Sequence, residues 1–349
     1  MLVFAFAIFY LVCMIMQLNS NQVTVRQFLS FSCVVLAFMA GLRNIDIWPD
    51  TSVYAYGFQI SNTLFRFSLS DTPYGYKEEG FYFLSVLVRT FTSNAHVFLL
   101  FISAITFLFI YKSLRSLSIY PLIGLCVYIA RFMIGRNFIQ IRSGLAYAIV
   151  IYAIPLIQRK DWKRYFLLVL IAYTMHHSAI IAVPIYFICN WLKPKNMYVY
   201  FGLIVAFAIG IFGQGVVHGF IEDNASDLDI VRYTERGGEE NYFEGTGLSN
   251  PMIYFQTVLL LVYTKLEKKL APIDKYYYVI RWCYLYATII LISFCTYKVL
   301  AGRTSTLFAT LEIAIIPALA QLMGRRNKAL SFTFIGVLLT TIFFLYQNQ

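Results

Sequence analysis

About twelve runs of mostly apolar residues divide this chain. The charges between them alternate: one set of connections collects clusters of Lys and Arg, and the other holds thirteen of the seventeen acids. Such a pattern folds as a helical bundle inside a bilayer, because in lipid each backbone polar group must be satisfied within its own helix or a closed barrel. Hydrophobic residues make up 60% of the 349, with mean hydropathy +0.68. That leaves too little polar sequence to coat a globule of this size in water. The formal net charge of +11 does not signal nucleic acid, since the basic residues sit in short clusters between apolar runs and form neither a tail nor a stripe on one face.

A spanning helix needs about 20 mostly apolar residues. Candidates fall near 1–17, 27–42, 95–111, 118–135, 138–157, 164–176, 178–192, 197–216, 251–265, 276–296, 303–323 and 329–347. The first lacks a positive n-region and a small-residue cleavage site, so it reads as a retained helix. Placing basic clusters on the cytoplasmic side assigns there Arg26, Lys112/Arg115, the Arg159–Arg164 cluster, Lys193/Lys195, Lys265–Lys275 and Arg325–Lys328. Sixteen of 28 basic residues then face inward beside only Asp161, Glu267 and Asp274, and the alternation never skips. The expectation is an all-α polytopic bundle of about 12 spans, one membrane domain over 1–349. Cys13, Cys33, Cys126, Cys189, Cys283 and Cys295 lie singly in apolar stretches and read as packing residues.

Two connections are long, 43–94 and 217–250, and both fall on the outer side. Long ordered loops commonly carry function. The first holds turn chemistry at Pro49-Asp50 and a helix-like stretch from about Glu79 to Thr92, too short to span and read as interfacial or re-entrant. The second is acidic and tyrosine-bearing, either a solvated loop or a lid over a sugar.

Several polar residues stand at or near apolar helices on that outer side: Arg43, Arg131, Arg136, Arg142, His176, His177, Arg281, Arg303 and Glu312. An arginine at membrane depth costs a few kcal/mol on insertion scales, so it faces a cavity or a partner. Taken together the set suits an anionic ligand such as a phosphate or pyrophosphate, whose oxygens a planar guanidinium binds in pairs; pairing with Glu312 or with loop acids, or snorkelling to headgroups, is the structural alternative. His176 is a candidate base, and a nearby arginine would favour its neutral ring. Ser178 reads as the cap of the following helix. Asp50 and Glu78 read as positioning acids. His176 and His177 point to different faces and no carboxylate completes a triad with them, so no metal site is expected. A DxD motif, a Gly-rich phosphate loop and GxSxG are absent, which argues against a nucleotide-dependent cytoplasmic enzyme.

The order Arg43…Asp50…Tyr54, Glu78-Glu79-Gly80-Phe81, Ile141-Arg142-Ser143-Gly144-Leu145-Ala146, His176-x-Ser178-Ala179 and a late Arg303 resembles the EpsG-type membrane polymerases, the Wzy-like proteins of O-antigen, capsule and exopolysaccharide assembly. The resemblance implies a metal-independent glycosyltransferase of the bacterial inner membrane, working at the periplasmic face without a cofactor. It would transfer the growing glycan from undecaprenyl pyrophosphate to another lipid-linked repeat unit. In that reading His176 is the first choice of base and Glu78 the second. Arg142 and Arg303, with Arg43 and Arg136, meet the leaving pyrophosphate, and Tyr54, Tyr56, Tyr233 and Tyr242 stack on sugars. A chain-length regulator is expected as a membrane partner. Two alternatives stay open: an O-antigen ligase, and a flippase or anion transporter, against which the one-sided gathering of charges argues.

Overall fold

The computed structural model describes residues 2–48, 50–74, 78–223, 246–321 and 327–347. The Pro49 turn, most of the 217–250 loop with Tyr233 and Tyr242, and Arg325 and Arg326 lie outside the described residues. Most of those described are helical, with no strand among them. The chain is a multi-pass membrane protein: six helices are long and apolar enough to cross a bilayer, or seven if a pair broken at Thr310–Leu311 counts as one span.

The elements run α1 (Leu2–Asn19), α2 (Gln22–Gly41), α3 (Thr51–Ile60), α4 (Glu79–Arg89), α5 (Ala95–Leu117), α6 (Pro121–Tyr128) and α7 (Ile141–Gln158). They continue as α8 (Trp162–Met175), α9 (Val183–Trp191), α10 (Asn196–Phe212), α11 (Gln214–Asp223), α12 (Pro251–Lys265), α13 (Glu267–Leu270), α14 (Tyr277–Ser293), α15 (Lys298–Ala309), α16 (Glu312–Ala318) and α17 (Lys328–Gln347). Over the described residues each of the twelve apolar runs is largely helical. Several are shorter than a full span: the runs at 164–176 and 178–192 meet at the extended His176, and the one at 303–323 breaks before Glu312. Side-chain caps set many of the starts: Asn21 accepts from the Thr24 amide, Asn94 from His96, Asp161 from Arg164 and Asn250 from Met252. Pro121 and Pro251 occupy the first turns of α6 and α12, where no amide donor is needed. Helix α3, in the first outer loop, has no counterpart among the expected elements.

The chain divides into two compact units, Met1–Tyr186 with Glu312–Gln349, and Phe187–Leu311. In the first, α7 is buried on nearly every face and packs on α5 and α8, whereas α1 buries only Phe6, Tyr10 and Cys13 and turns its remaining apolar surface outward, as a lipid-facing helix does. The Tyr10 hydroxyl donates to the Phe332 carbonyl at 2.5 Å and clasps α1 to α17. Between α6 and α7 the chain forms a π-helix over Ile129–Ile139, a rare geometry that collects at functional sites. Arg131 in it pairs through two hydrogen bonds with Glu312, Nε to Oε2 at 2.8 Å and Nη2 to Oε1 at 3.2 Å, with both side chains buried. Structural pairing thus accounts for this arginine.

In the second unit α14 packs against α10, α12 and α15. Arg281, grouped with the outer-side charges on sequence, is held here by the Pro194 carbonyl at 2.6 Å, by Asn196, and by Glu267 at 3.2 Å. These partners belong to connections that the charge alternation gives to the opposite, cytoplasmic side. Arg281 lies only one turn into α14, so its long side chain reaches back past the helix start.

Candidate active site

Four helix ends in the first unit bring together the residues that sequence order had separated by 122 positions, from Tyr54 to His176. Arg142 is the second residue of α7, where the positive end of the helix adds to its own charge. Its Nη1 donates to Glu78 Oε2 at 2.5 Å. The other carboxylate oxygen of Glu78 meets His176 Nδ1 at 2.5 Å, so one acid bridges the arginine and the imidazole. The side chains of Arg142, Glu78 and His176 are 9%, 7% and 13% exposed, which removes most of the water that would otherwise screen them.

Local sequence explains the convergence. His176 follows the last residue of α8 in extended conformation, and a 3-10 turn over His177–Ala182 then redirects the chain. Glu78 immediately precedes α4, whose first turn contains Gly80. A Cβ at Gly80 would strike the Thr174 hydroxyl and the Met175 side chain at the end of α8. Glycine therefore allows the approach that carries Glu78 to His176. Gly144 acts likewise in α7, since a Cβ there would run into the backbone carbonyl of Arg136.

Around this bridge stand the other residues read from sequence. Arg142 Nε donates to the Tyr54 hydroxyl at 3.4 Å, and the guanidinium lies 5.5 Å from the Tyr54 ring centroid. Burial pushes the Tyr54 phenol up to about 12, despite the opposing charge of Arg142; it stays protonated at any physiological pH. Asp50, just before α3, is half-buried and acts electrostatically on the same phenol. Arg43 follows α2 and ties three elements together. Its Nη1 donates to the Ala40 carbonyl at 2.5 Å and its Nε to Thr51 Oγ1 at 3.1 Å, and Thr51 in turn donates to the Phe138 carbonyl at 2.9 Å. The buried Arg43 Nη2 has no hydrogen-bond partner among the described residues. Burial draws this guanidinium down to about 10, still fully charged at neutral pH.

Glu78 itself feels opposing forces. Burial pushes its carboxyl up; the His176 hydrogen bond and the Arg142 charge overcome that and hold it below the ordinary carboxylate range. It is an ionised orienting group, and this makes His176 the stronger candidate for base of the two. Among the described residues no three His, Cys, Asp or Glu side chains come together as metal ligands would.

Tyr147, absent from the sequence-derived site, completes the cluster. Its hydroxyl shares a 2.6 Å hydrogen bond with Ser178 Oγ, its ring is 6.3 Å from that of His176, and the Arg136 guanidinium lies 4.3 Å from its centroid. Ser178, expected to cap a helix, makes this side-chain bond instead; no side-chain cap starts the 3-10 turn. Only the placement of Tyr147 five residues after Arg142 hinted at it, and a tyrosine in an apolar helix is too common to be a signal. His177 points elsewhere and stacks on Tyr173 at 4.7 Å. Tyr56 is exposed. Arg303 belongs to α15 of the second unit, where its carbonyl accepts from Thr306 Oγ1 at 3.0 Å.

Comparison with known proteins gives a consistent result. The model of the EpsG family matches residues 26–348. The amylovoran biosynthesis protein AmsC of Erwinia amylovora is 25% identical over 343 residues, which cover 94% of this chain and 87% of that protein. No solved structure matches.

Proposed function

The chain belongs to the EpsG family, and from that membership we propose that it is a polysaccharide polymerase, a glycosyltransferase embedded in the bacterial inner membrane with its active face towards the periplasm. The likeness to a protein of amylovoran biosynthesis supports the polysaccharide role. The observation that carries the mechanism is the single carboxylate of Glu78 bridging Arg142 and His176.

In this reading the donor is a growing glycan on undecaprenyl pyrophosphate, and the acceptor is a sugar hydroxyl on another lipid-linked repeat unit. Glu78 accepts a hydrogen bond from the Nδ1–H of His176 and so fixes the tautomer in which Nε2 carries a lone pair. Nε2 takes the proton of the acceptor hydroxyl as its oxygen attacks the anomeric carbon. The bond from that carbon to the pyrophosphate oxygen breaks, and the electron pair leaves with the lipid pyrophosphate. Its growing negative charge falls to arginine. A guanidinium has five N–H donors, so phosphate oxygens can share Arg142 with Glu78, and the spare Nη2 of Arg43 adds a second buried cationic donor. Preorganised charge of this kind in a water-poor site is the largest single contribution to catalysis in many enzymes, and general-base catalysis adds about 10²–10⁴-fold.

The test is a gel of lipid-linked and surface glycans from a deletion strain, complemented with wild type, Arg142→Ala or His176→Ala, with protein abundance checked in the membrane fraction. The expected result is single repeat units in the deletion strain and in both variants, and a ladder only with wild type. Normal ladders from both variants at normal abundance would overturn the site. A bare acceptor with long polymer accumulating on the lipid carrier would identify a ligase, and single units trapped in the inner leaflet a flippase.

A further inference from the structure

We propose that the second unit carries a binding site for one anionic glycerophospholipid, its headgroup held by lysines and one acyl chain lying in an apolar cleft between α10 and α12. The cleft is a shallow, open groove of about 520 Å³, lined by Tyr200, Leu203, Phe207 and Ile211 of α10 and by Thr257 and Leu261 of α12, among others. The α10 residues recur at three- and four-residue steps and share one helix face. Tyr200 to Ile211 covers about 17 Å at 1.5 Å per residue, close to the roughly 15 Å that one leaflet contributes to a bilayer core. The groove is therefore one acyl chain long.

Its charged end is fixed by Arg281. That side chain holds Asn196, the first residue of α10, the Pro194 carbonyl and Glu267, two residues beyond the end of α12. The start of α10 and the end of α12 consequently stand together. At the other end a Cβ on Gly210 would lie 3.0 Å from the Leu248 side chain, just before α12 begins, so the two helices run antiparallel and the cleft follows both.

Lysines crown the Arg281 end. Thr257, Leu261 and Lys265 are spaced by four and lie on one face of α12, which puts Lys265 one turn beyond the cleft lining. Lys193 and Lys195 precede α10, and Lys268 and Lys269 follow α12; all five are exposed. The acids nearby are occupied. Glu267 accepts from Arg281 and from the Tyr278 hydroxyl at 3.0 Å, and Asp274 from the Tyr263 hydroxyl at 3.0 Å and the Tyr276 amide at 2.9 Å. Exposed Trp191 and Ile273 accompany the lysines, the mixture of apolar and basic side chains that meets a lipid headgroup layer. A positive rim above an apolar groove matches a phosphodiester above a hydrocarbon chain, whereas an acidic protein would use the lysines and leave the groove unfilled.

The experiment is native mass spectrometry of the whole protein released from nanodiscs of phosphatidylglycerol or of phosphatidylcholine. Wild type should retain one phosphatidylglycerol and little phosphatidylcholine. Reversing charge with Lys195→Glu and Lys265→Glu should lower retention about tenfold or more, while Lys195→Arg with Lys265→Arg keeps it. Filling the groove with Ala208→Trp, at another residue of its α10 wall, should also release the lipid, with the melting temperature recorded to confirm that each variant is folded. Equal retention of both lipids, retention unchanged by the charge reversal or by the groove filling, or a polyprenyl phosphate held in their place would overturn the proposal. His176→Ala should leave retention untouched, which separates this site from the polymerase reading.

Discussion

Replacing Glu78 by Gln is the most searching perturbation of the site, because it keeps the shape of the side chain and removes only its charge and its acceptor pair. In the native protein the carboxylate touches Arg142 and His176 at 2.5 Å each, and all three groups are nearly buried. The stability effect comes from the guanidinium left behind. Breaking a buried ion pair from one side costs about 3–5 kcal/mol, since the remaining charge stays desolvated. The rate effect comes from the imidazole. A glutamine amide turned towards Nδ1 would donate to it, which favours the tautomer protonated on Nε2 and removes the base. Losing general-base catalysis and its orientation predicts a fall of about 10³-fold, or about 4 kcal/mol at 1.36 kcal/mol per decade. Glu78→Asp keeps the charge but displaces it by about one carbon–carbon bond, and a misplacement near 1 Å costs about 10²-fold. The assay is the initial rate of polymer formation from a lipid-linked repeat unit by purified protein, with a melting curve for each variant. Since Glu78 acts on the rate largely through His176, the pair Glu78→Gln with His176→Ala should lose far less than the product of the two single losses. A Glu78→Gln enzyme within about threefold of wild type would refute the reasoning, as would a double variant slower than both single ones by the product of their effects.

Three further predictions rest on neighbouring observations. Because the folded-state pKa of Glu78 is depressed, its contribution to stability is present above the ordinary value of about 4.3 and is lost as pH falls through the lower folded value; the melting temperature in detergent should be level above about pH 5 and fall below pH 4, and Glu78→Gln should lessen that fall. Gly144→Ala should destabilise by about 1–3 kcal/mol through collision with the Arg136 carbonyl, whereas Gly135→Ala, with nothing within 4 Å of the added carbon, should be neutral or slightly stabilising; thermal melts of the two decide it. Arg131→Met should cost about 3–5 kcal/mol, and adding Glu312→Leu should restore most of it without loss of specific activity, since this pair holds the π-helix to α16 and takes no part in the chemistry; a double variant as unstable as the single one would show that the pair does more.

The helices were legible because their signal is local. Each apolar run of the required length must satisfy its own backbone in lipid, so the runs at 1–17, 95–111 and 329–347 marked α1, α5 and α17 without reference to one another. Order of motifs likewise picked out Glu78, Arg142 and His176 as a group. Partner choice was not legible: Arg131 and Arg142 are both arginines near apolar helices, yet one is consumed by Glu312 and the other faces Glu78 and Tyr54. Arg281, grouped with the outer-side charges on sequence, is engaged instead by Pro194, Asn196 and Glu267, partners that its position alone does not name. Tyr147, and the bond that its hydroxyl shares with Ser178, could not be told from the many other tyrosines of apolar helices.

Hydrophobicity, read along the chain, determined by itself that this protein is a helical membrane bundle, since burial in lipid is a property of each segment alone. Which carboxylate meets which guanidinium, and which imidazole nitrogen is held, depends on the angles at which α3, α4, α7 and α8 end against one another. The approach at Gly80, against Thr174 and Met175 more than ninety positions further on, is such a meeting, and only the tertiary structure decided it.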